Sequence, residues 1–107
     1  MAGVPELMIL RLLQDREMYG YQIVQAIRAE TADVVSLGEG IVYTVLHALE
    51  REGALKPRRK TVEGRSRIYY SVTASGLRRY RDLAENWTTL AAAIRSVIKG
   101  ARHAPAT

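Results

Sequence analysis

Between Arg51 and Arg81 the chain gathers ten of its sixteen Lys and Arg residues, from Arg51 and Lys56 through Arg67 to Arg78, Arg79 and Arg81, against two acids, Glu52 and Glu63. The window carries a net charge of +8, whereas residues 1 to 50 sum to −4 and residues 82 to 107 to +1. Guanidinium and ammonium groups at this density attract polyanions. Nucleic acid is the commonest such partner, because each phosphate neutralised releases condensed counterions. The competing reading is a merely solvated basic face. No catalytic constellation accompanies the cations: His47 and His103 are far apart, no Gly-rich phosphate loop or His-Glu-x-x-His spacing occurs, and the acids form no compact ligand set. The chain is therefore expected to be neither enzyme nor metalloprotein, with no cofactor.

Composition narrows the setting. A chain of 107 residues is one domain's worth, with apolar content for a modest core. The absence of cysteine excludes disulfides and thiolate metal sites and suits a reducing compartment. Phe is absent while Tyr occurs six times, so aliphatic residues must build the core. The apolar run Leu7 to Leu13 is interrupted by Arg11 and too short to span a bilayer, and no charged segment with a cleavage site precedes it. The expectation is a cytoplasmic protein without a membrane partner.

The elements that must position the cations follow from periodicity. Pro5 and Glu6 open a segment in which Leu7, Leu10 and Leu13 recur at helical spacing, ended by the polar stretch Gln14 to Glu17. A second helix is predicted from about Gly20 to Thr31, with Ile23, Val24 and Ile27 on one face. After Ser36, Gly38 and Gly40, a third carries Val42, Val45, Leu46 and Leu49 up to Glu52 and stops at Gly53. The period then shifts to two: Ile68, Tyr70 and Val72 alternate with Arg67, Tyr69 and Ser71, as in a half-buried strand. Leu55 to Thr61 reads as its partner, joined by the five residues Val62 to Ser66. Thr73 offers an N-cap to a long helix reaching roughly Lys99.

Three short helices followed by a basic hairpin is the winged helix-turn-helix order. The predicted class is mainly α with a small β-hairpin (α+β): a winged helix-turn-helix DNA-binding domain over residues 1–73, a long C-terminal dimerisation helix over 74–99 and a disordered tail over 100–107. In such motifs the second helix of the pair enters the major groove, and helix 3 stands in that place. With Val42, Leu46 and Leu49 turned inward, it exposes Tyr43, Thr44, His47 and Arg51 as candidates for base edges and phosphates. For Tyr43 the competing reading is a ring capping the core, and for His47 a solvated helix residue. The hairpin would be the wing, with Arg58, Arg59, Lys60, Arg65 and Arg67 as phosphate candidates. Replacing Arg58 or Arg65 by Ala is expected to lower the salt dependence of binding by about one unit per lost phosphate contact.

Three stretches resemble the PadR family of bacterial transcriptional regulators: Met18 to Ile23 (Met-Tyr-Gly-Tyr-Gln-Ile), Gly40 to Gly53 with Leu-Glu-x-x-Gly at its end, and Gly64 to Gly76 with Gly-Arg, Tyr-Tyr and Thr-x-x-Gly. The resemblance spans about residues 5 to 98. It implies a dimeric winged-helix repressor that binds an inverted-repeat operator and lets go when a small molecule or stress signal arrives. By position, Tyr43 matches the family's helix 3 tyrosine, and Arg65 and Arg67 its wing arginines. Ile41 stands where many members have Thr, and Ala48 where many have Arg or Lys, which implies fewer or different bases read. Thr44 replaces a frequent Pro, as in the small multidrug-sensing branch.

The last helix carries Tyr80, Leu83, Trp87, Leu90, Ile94 and Val97 at alternating spacings of three and four, a heptad-like seam. Its length, about 39 Å at 1.5 Å per residue, exceeds what a small winged-helix core can cover. A homodimer is expected, whose symmetry would match a palindromic duplex. A helix folded back on its own domain is the alternative. Trp87 reads as a core or interface anchor. The drug-sensing branch implies a further role, in which Trp87, with Leu7 and Met8 of helix 1, stacks a planar aromatic effector. The reading from another class is a winged-helix interaction module whose basic wing meets an acidic partner protein.

Overall fold

The computed structural model describes residues 3 to 100. Three helices come first, α1 (Val4–Leu12), α2 (Gly20–Glu30) and α3 (Glu39–Arg51), with a short strand β1 (Met18–Tyr19) between the first two. A hairpin of β2 (Leu55–Val62) and β3 (Arg65–Val72) follows, and then α4 (Ala74–Lys99). The sheet is antiparallel in the order β1-β3-β2. This is the α+β, winged helix-turn-helix arrangement that the periodicities predict. Among the described residues, no helix is long and apolar enough to cross a membrane.

Local hydrogen bonds explain where the helices begin and end. Pro5 and Glu6 occupy the first turn of α1, where a missing N–H is harmless and a negative charge favourable. The Tyr19 N–H, at the start of α2, donates to Gln22 Oε1 at 3.1 Å. At the end of α3 the Ala54 N–H reaches back to the Leu49 carbonyl at 2.9 Å. The Thr73 hydroxyl accepts from the Gly76 N–H at 3.0 Å and donates to the Gly53 carbonyl at 2.7 Å. One side chain thus caps α4 and ties it to the end of α3.

The core lies where the three short helices meet the sheet. Ile9, Leu10, Ile23, Ile27, Val42, Leu46 and Leu49 are fully buried, and Met18, Leu55 and Tyr70 close over them from the strands. Each such aliphatic side chain contributes about 1.5–3 kcal/mol relative to exposure. The first turns of α4 join this core through Tyr80 and Leu83. Arg79 adds two ion pairs, to Glu6 of α1 at 2.7 Å and to Glu52 at 3.0 Å. Beyond Trp87 the helix stands off: Ile94 is 45% and Val97 80% exposed, and the molecule measures 68 × 28 × 22 Å. So α4 folds back on its own domain over its first half alone.

Two features differ from expectation. The connection between β2 and β3 is two residues, not five, because Val62 and Arg65 pair across the ladder. Glu63 and Gly64 both have positive φ, 50° and 79°, the signature of a type I′ turn, whose twist matches that of the strands. Glu is uncommon there, so the sequence carries no strong turn signal. Strand β1 was not foreseen, since two residues are too few to show an alternation. Its pairing of Met18 with Tyr70 and Tyr19 with Tyr69 joins the helical half to the wing. The expected disordered tail beyond Gly100, with His103, lies outside the described residues.

Candidate nucleic-acid interface

Helix α3 turns Val42, Leu46 and Leu49 inward, which leaves Ile41, Tyr43, Thr44, His47 and Arg51 on the opposite, exposed side. Tyr43 packs against α2 and also stays partly open. Its ring lies over Gly20, where a Cβ would come within 2.5 Å of Cζ, yet 37% of the residue remains open. Gly20 is thus the space that seats this ring. The Tyr43 and His47 rings are neighbours, with centroids 6.2 Å apart. Thr44 Oγ1 donates to the Gly40 carbonyl at 2.9 Å, one turn back.

The register of the wing sorts its cations by face. Directly opposed residues share a face, so Lys56, Arg58 and Lys60 of β2 stand with Arg67, Tyr69 and, through β1, Tyr19. On this outer face Lys60 Nζ lies 4.5 Å from the Tyr69 ring centroid and the Arg67 guanidinium 4.3 Å from that of Tyr19, while the two rings meet edge to face at 5.3 Å. Glu17 completes it, accepting from Arg58 at 2.5 Å and Lys60 at 2.9 Å. The hydrogen bonds from Arg58, first, and Lys60 hold the Glu17 carboxyl below the usual carboxylate range. Arg59 points to the other face and donates to Ser66 Oγ at 3.0 Å.

Between α3 and the free edge of β3 runs a groove of about 500 Å³ whose walls include Tyr43 and His47 on one side, Arg65 and Arg67 on the other, and Tyr19 and Tyr21 at the floor strand and α2. Of the nine DNA candidates, the structure brings Tyr43, His47, Arg65 and Arg67 to this groove. Thr44 and Arg51 lie further round α3, Arg59 lies on the wing's inner face, and Arg58 and Lys60 are bound to Glu17. Sequence reasoning missed Tyr19, Tyr21 and Glu17. The first two sit in the Met18 to Ile23 stretch. Glu17 had no local signal, being 41 residues from Arg58.

A second cavity, about 340 Å³, opens between α1, the end of α2 and α4, and Leu7, Met8 and Trp87 all line it. Ile27 and Glu30 of α2 and Tyr80 of α4 add walls that were not foreseen. A smaller cavity of about 110 Å³ shares Leu7 and Trp87 with it and is closed by Leu83 and Leu90. Of the expected dimer seam, Tyr80 and Leu83 pack on their own core, while Trp87, Leu90, Ile94 and Val97 remain exposed. No group of three or more His, Cys, Asp or Glu among the described residues could hold a metal ion.

The sequence profile of the transcriptional regulator PadR-like family matches residues 9–82. The chain is similar to a transcriptional regulator from Clostridium thermocellum, with a TM-score of 0.82 and 29% identity over 88% of this chain and 89% of that one. It is similar also to a Streptococcus mutans protein, at TM-score 0.82 and 30% identity, over 94% and 91% of the two chains. Bacillus subtilis PadR, solved in complex with operator DNA, matches at TM-score 0.67 and 28% identity over 74% of this chain and 45% of that one. The chain spans less than half of that longer protein. The family profile covers most of the chain, including α3, the wing and the start of α4, and the chain therefore belongs to the PadR-like family of transcriptional regulators.

Proposed function

We propose that the protein is a dimeric repressor that binds an inverted-repeat DNA operator through α3 and the wing. The observation that carries this reading is the groove in which Tyr43 and His47 of the exposed α3 face Arg65 and Arg67 of β3. A helix of this kind fits the major groove, and arginines beside it reach the flanking phosphates. The operator complex of Bacillus subtilis PadR, a relative with the same winged fold, supports the same partner here. Trp87, Leu90, Ile94 and Val97 supply the surface for a second copy, which would set two α3 helices on half-sites about one helical turn, or a multiple of it, apart.

A planar aromatic effector is the proposed signal. The cavity beside Trp87 is within the usual size of small-molecule sites and lies where α1 meets the helix that would hold the dimer. A ligand wedged there changes the spacing of the two heads and so couples to DNA affinity, by about 1–3 kcal/mol in typical cases. The test is binding to a duplex from the upstream region of its own gene against a random duplex over a range of salt. The account predicts nanomolar-range binding to the upstream duplex that falls steeply with salt. Equal affinity for both duplexes would overturn it.

A further inference from the structure

The exposed side of α3 opens on Glu39, which also lines the groove, and turns apolar at Ile41. Ile41, in its first turn, is 52% exposed and takes no part in the core, into which Val42, Leu46 and Leu49, with the partly buried Val45, carry the helix. Thr44 lies one turn on, and its hydroxyl proton is committed to the Gly40 carbonyl. The hydroxyl can still accept, but the methyl is the group this exposed residue has left to offer as a contact. Along α3 there is no Arg, Lys, Asn or Gln before Arg51, its last residue.

Those absences matter for base reading. Guanine is read by bidentate Arg or Lys and adenine by bidentate Asn or Gln, and the first turns of α3 have neither. Thymine is the base whose major-groove edge offers an apolar group, its C5-methyl. The surroundings favour a polyanion over a protein surface, since Arg65 and Arg67 across the groove and Arg51 at the helix end outnumber Glu39, the one acid in the groove lining among the described residues.

We propose that Ile41 and the Thr44 methyl form an apolar reading surface for thymine C5-methyl groups, so that each operator half-site carries thymine opposite the first turns of α3. The inference rests on the proposed binding of DNA through α3 and goes beyond it by naming the base and its readers. Burial of one methyl group corresponds to about fourfold in affinity per half-site, and so about sixteenfold for a symmetric duplex.

The test replaces thymine by deoxyuridine, which removes the methyl and nothing else. Duplexes are selected from a random-sequence pool by the wild-type protein, and symmetric thymine pairs are then replaced one pair at a time, with affinity read by fluorescence anisotropy at one salt concentration. One pair should show the full penalty. Ile41→Ala should bind the thymine duplex more weakly by a similar factor and be nearly indifferent to uracil there. Thr44→Ser, which keeps the hydroxyl bond to Gly40 and deletes the methyl, should show a smaller uracil penalty than wild type. Enrichment of a specific duplex in which no uracil replacement matters would overturn this inference and leave the proposed function standing. So would a uracil penalty undiminished in both variants, or an Ile41→Ala protein altered in oligomeric state alone. If no sequence is enriched, the proposed function falls, and this inference with it.

Discussion

Arg58→Ala and Arg65→Ala should differ in their effect on the salt dependence of DNA binding, although both remove an exposed cation from the same wing. Arg65 has no acid within ion-pair distance among the described residues, whereas the Nε and Nη2 edge of the Arg58 guanidinium donates to both Glu17 carboxylate oxygens, at 3.3 and 2.5 Å. One phosphate contact contributes about 0.9 to the slope of log affinity against log salt, so losing Arg65 from both protomers should lower it by about 1.8. Between 50 and 200 mM salt this makes the fall in affinity about twelvefold shallower. A phosphate that takes Arg58 must displace Glu17, and the freed carboxylate draws a cation from solution. Most of the counterion release is thereby cancelled, and Arg58→Ala should lower the slope by less than about half as much. Glu17→Gln acts in the opposite sense, freeing Arg58 and Lys60 together and steepening the slope on random duplex. Anisotropy titrations across that salt range measure all three. Equal losses for Arg58→Ala and Arg65→Ala, or an unchanged slope for Glu17→Gln, would refute the reasoning.

Gly20→Ala forces the Tyr43 ring from its seat, and operator affinity should fall by about tenfold, the equivalent of ~1.4 kcal/mol, with the helical circular dichroism retained; unchanged affinity would show that the ring's position is immaterial. The Glu17 carboxyl should titrate below the ordinary carboxylate value by NMR and move up towards it in Arg58→Ala. Because that folded-state value is lowered, the clamp's contribution is present above the unfolded-state value and lost as pH falls through the lowered one. Ile94→Asp, in the exposed stripe of α4, should yield a monomer in sedimentation equilibrium; a dimer that persists would place the interface elsewhere. Planar aromatic compounds should perturb Trp87 fluorescence, and Trp87→Ala should abolish induction; a variant still fully inducible would remove the cavity from the mechanism.

Elements repeated over several turns were readable from the sequence, and short or non-local ones were not. The stripe Val42, Leu46, Leu49 runs over the whole of α3 and defines both its buried side and, by exclusion, its exposed one. The alternation through Ile68, Tyr70 and Val72 identifies β3. Strand β1 is two residues long and exists only because β3 offers it an edge, so its own residues carry no period. The charge window misled in one respect. Counted along the chain, residues 51 to 81 hold two acids, but in space Glu17 meets Arg58 and Lys60, and Glu6 meets Arg79. The wing is therefore less bare than its sequence, and the cations left without acid partners among the described residues include Arg65 and Arg67, at the groove beside α3. Leu7, Met8 and Trp87 could be grouped in advance through the resemblance, whereas the approach of Ile27 and Glu30 to the same cavity depends on how α2 packs, which no local pattern records.

The central claim is that α3 lies in the major groove of each half-site. Because the chain has no cysteine, His47→Cys gives a single attachment point for a DNA-cleaving iron chelate on the exposed face of α3. The account predicts two cleavage centres on the operator, symmetric about its dyad and about 10 base pairs, or a multiple of that, apart. Cleavage absent from a duplex that the labelled protein still binds, or spread evenly along it, would contradict the claim.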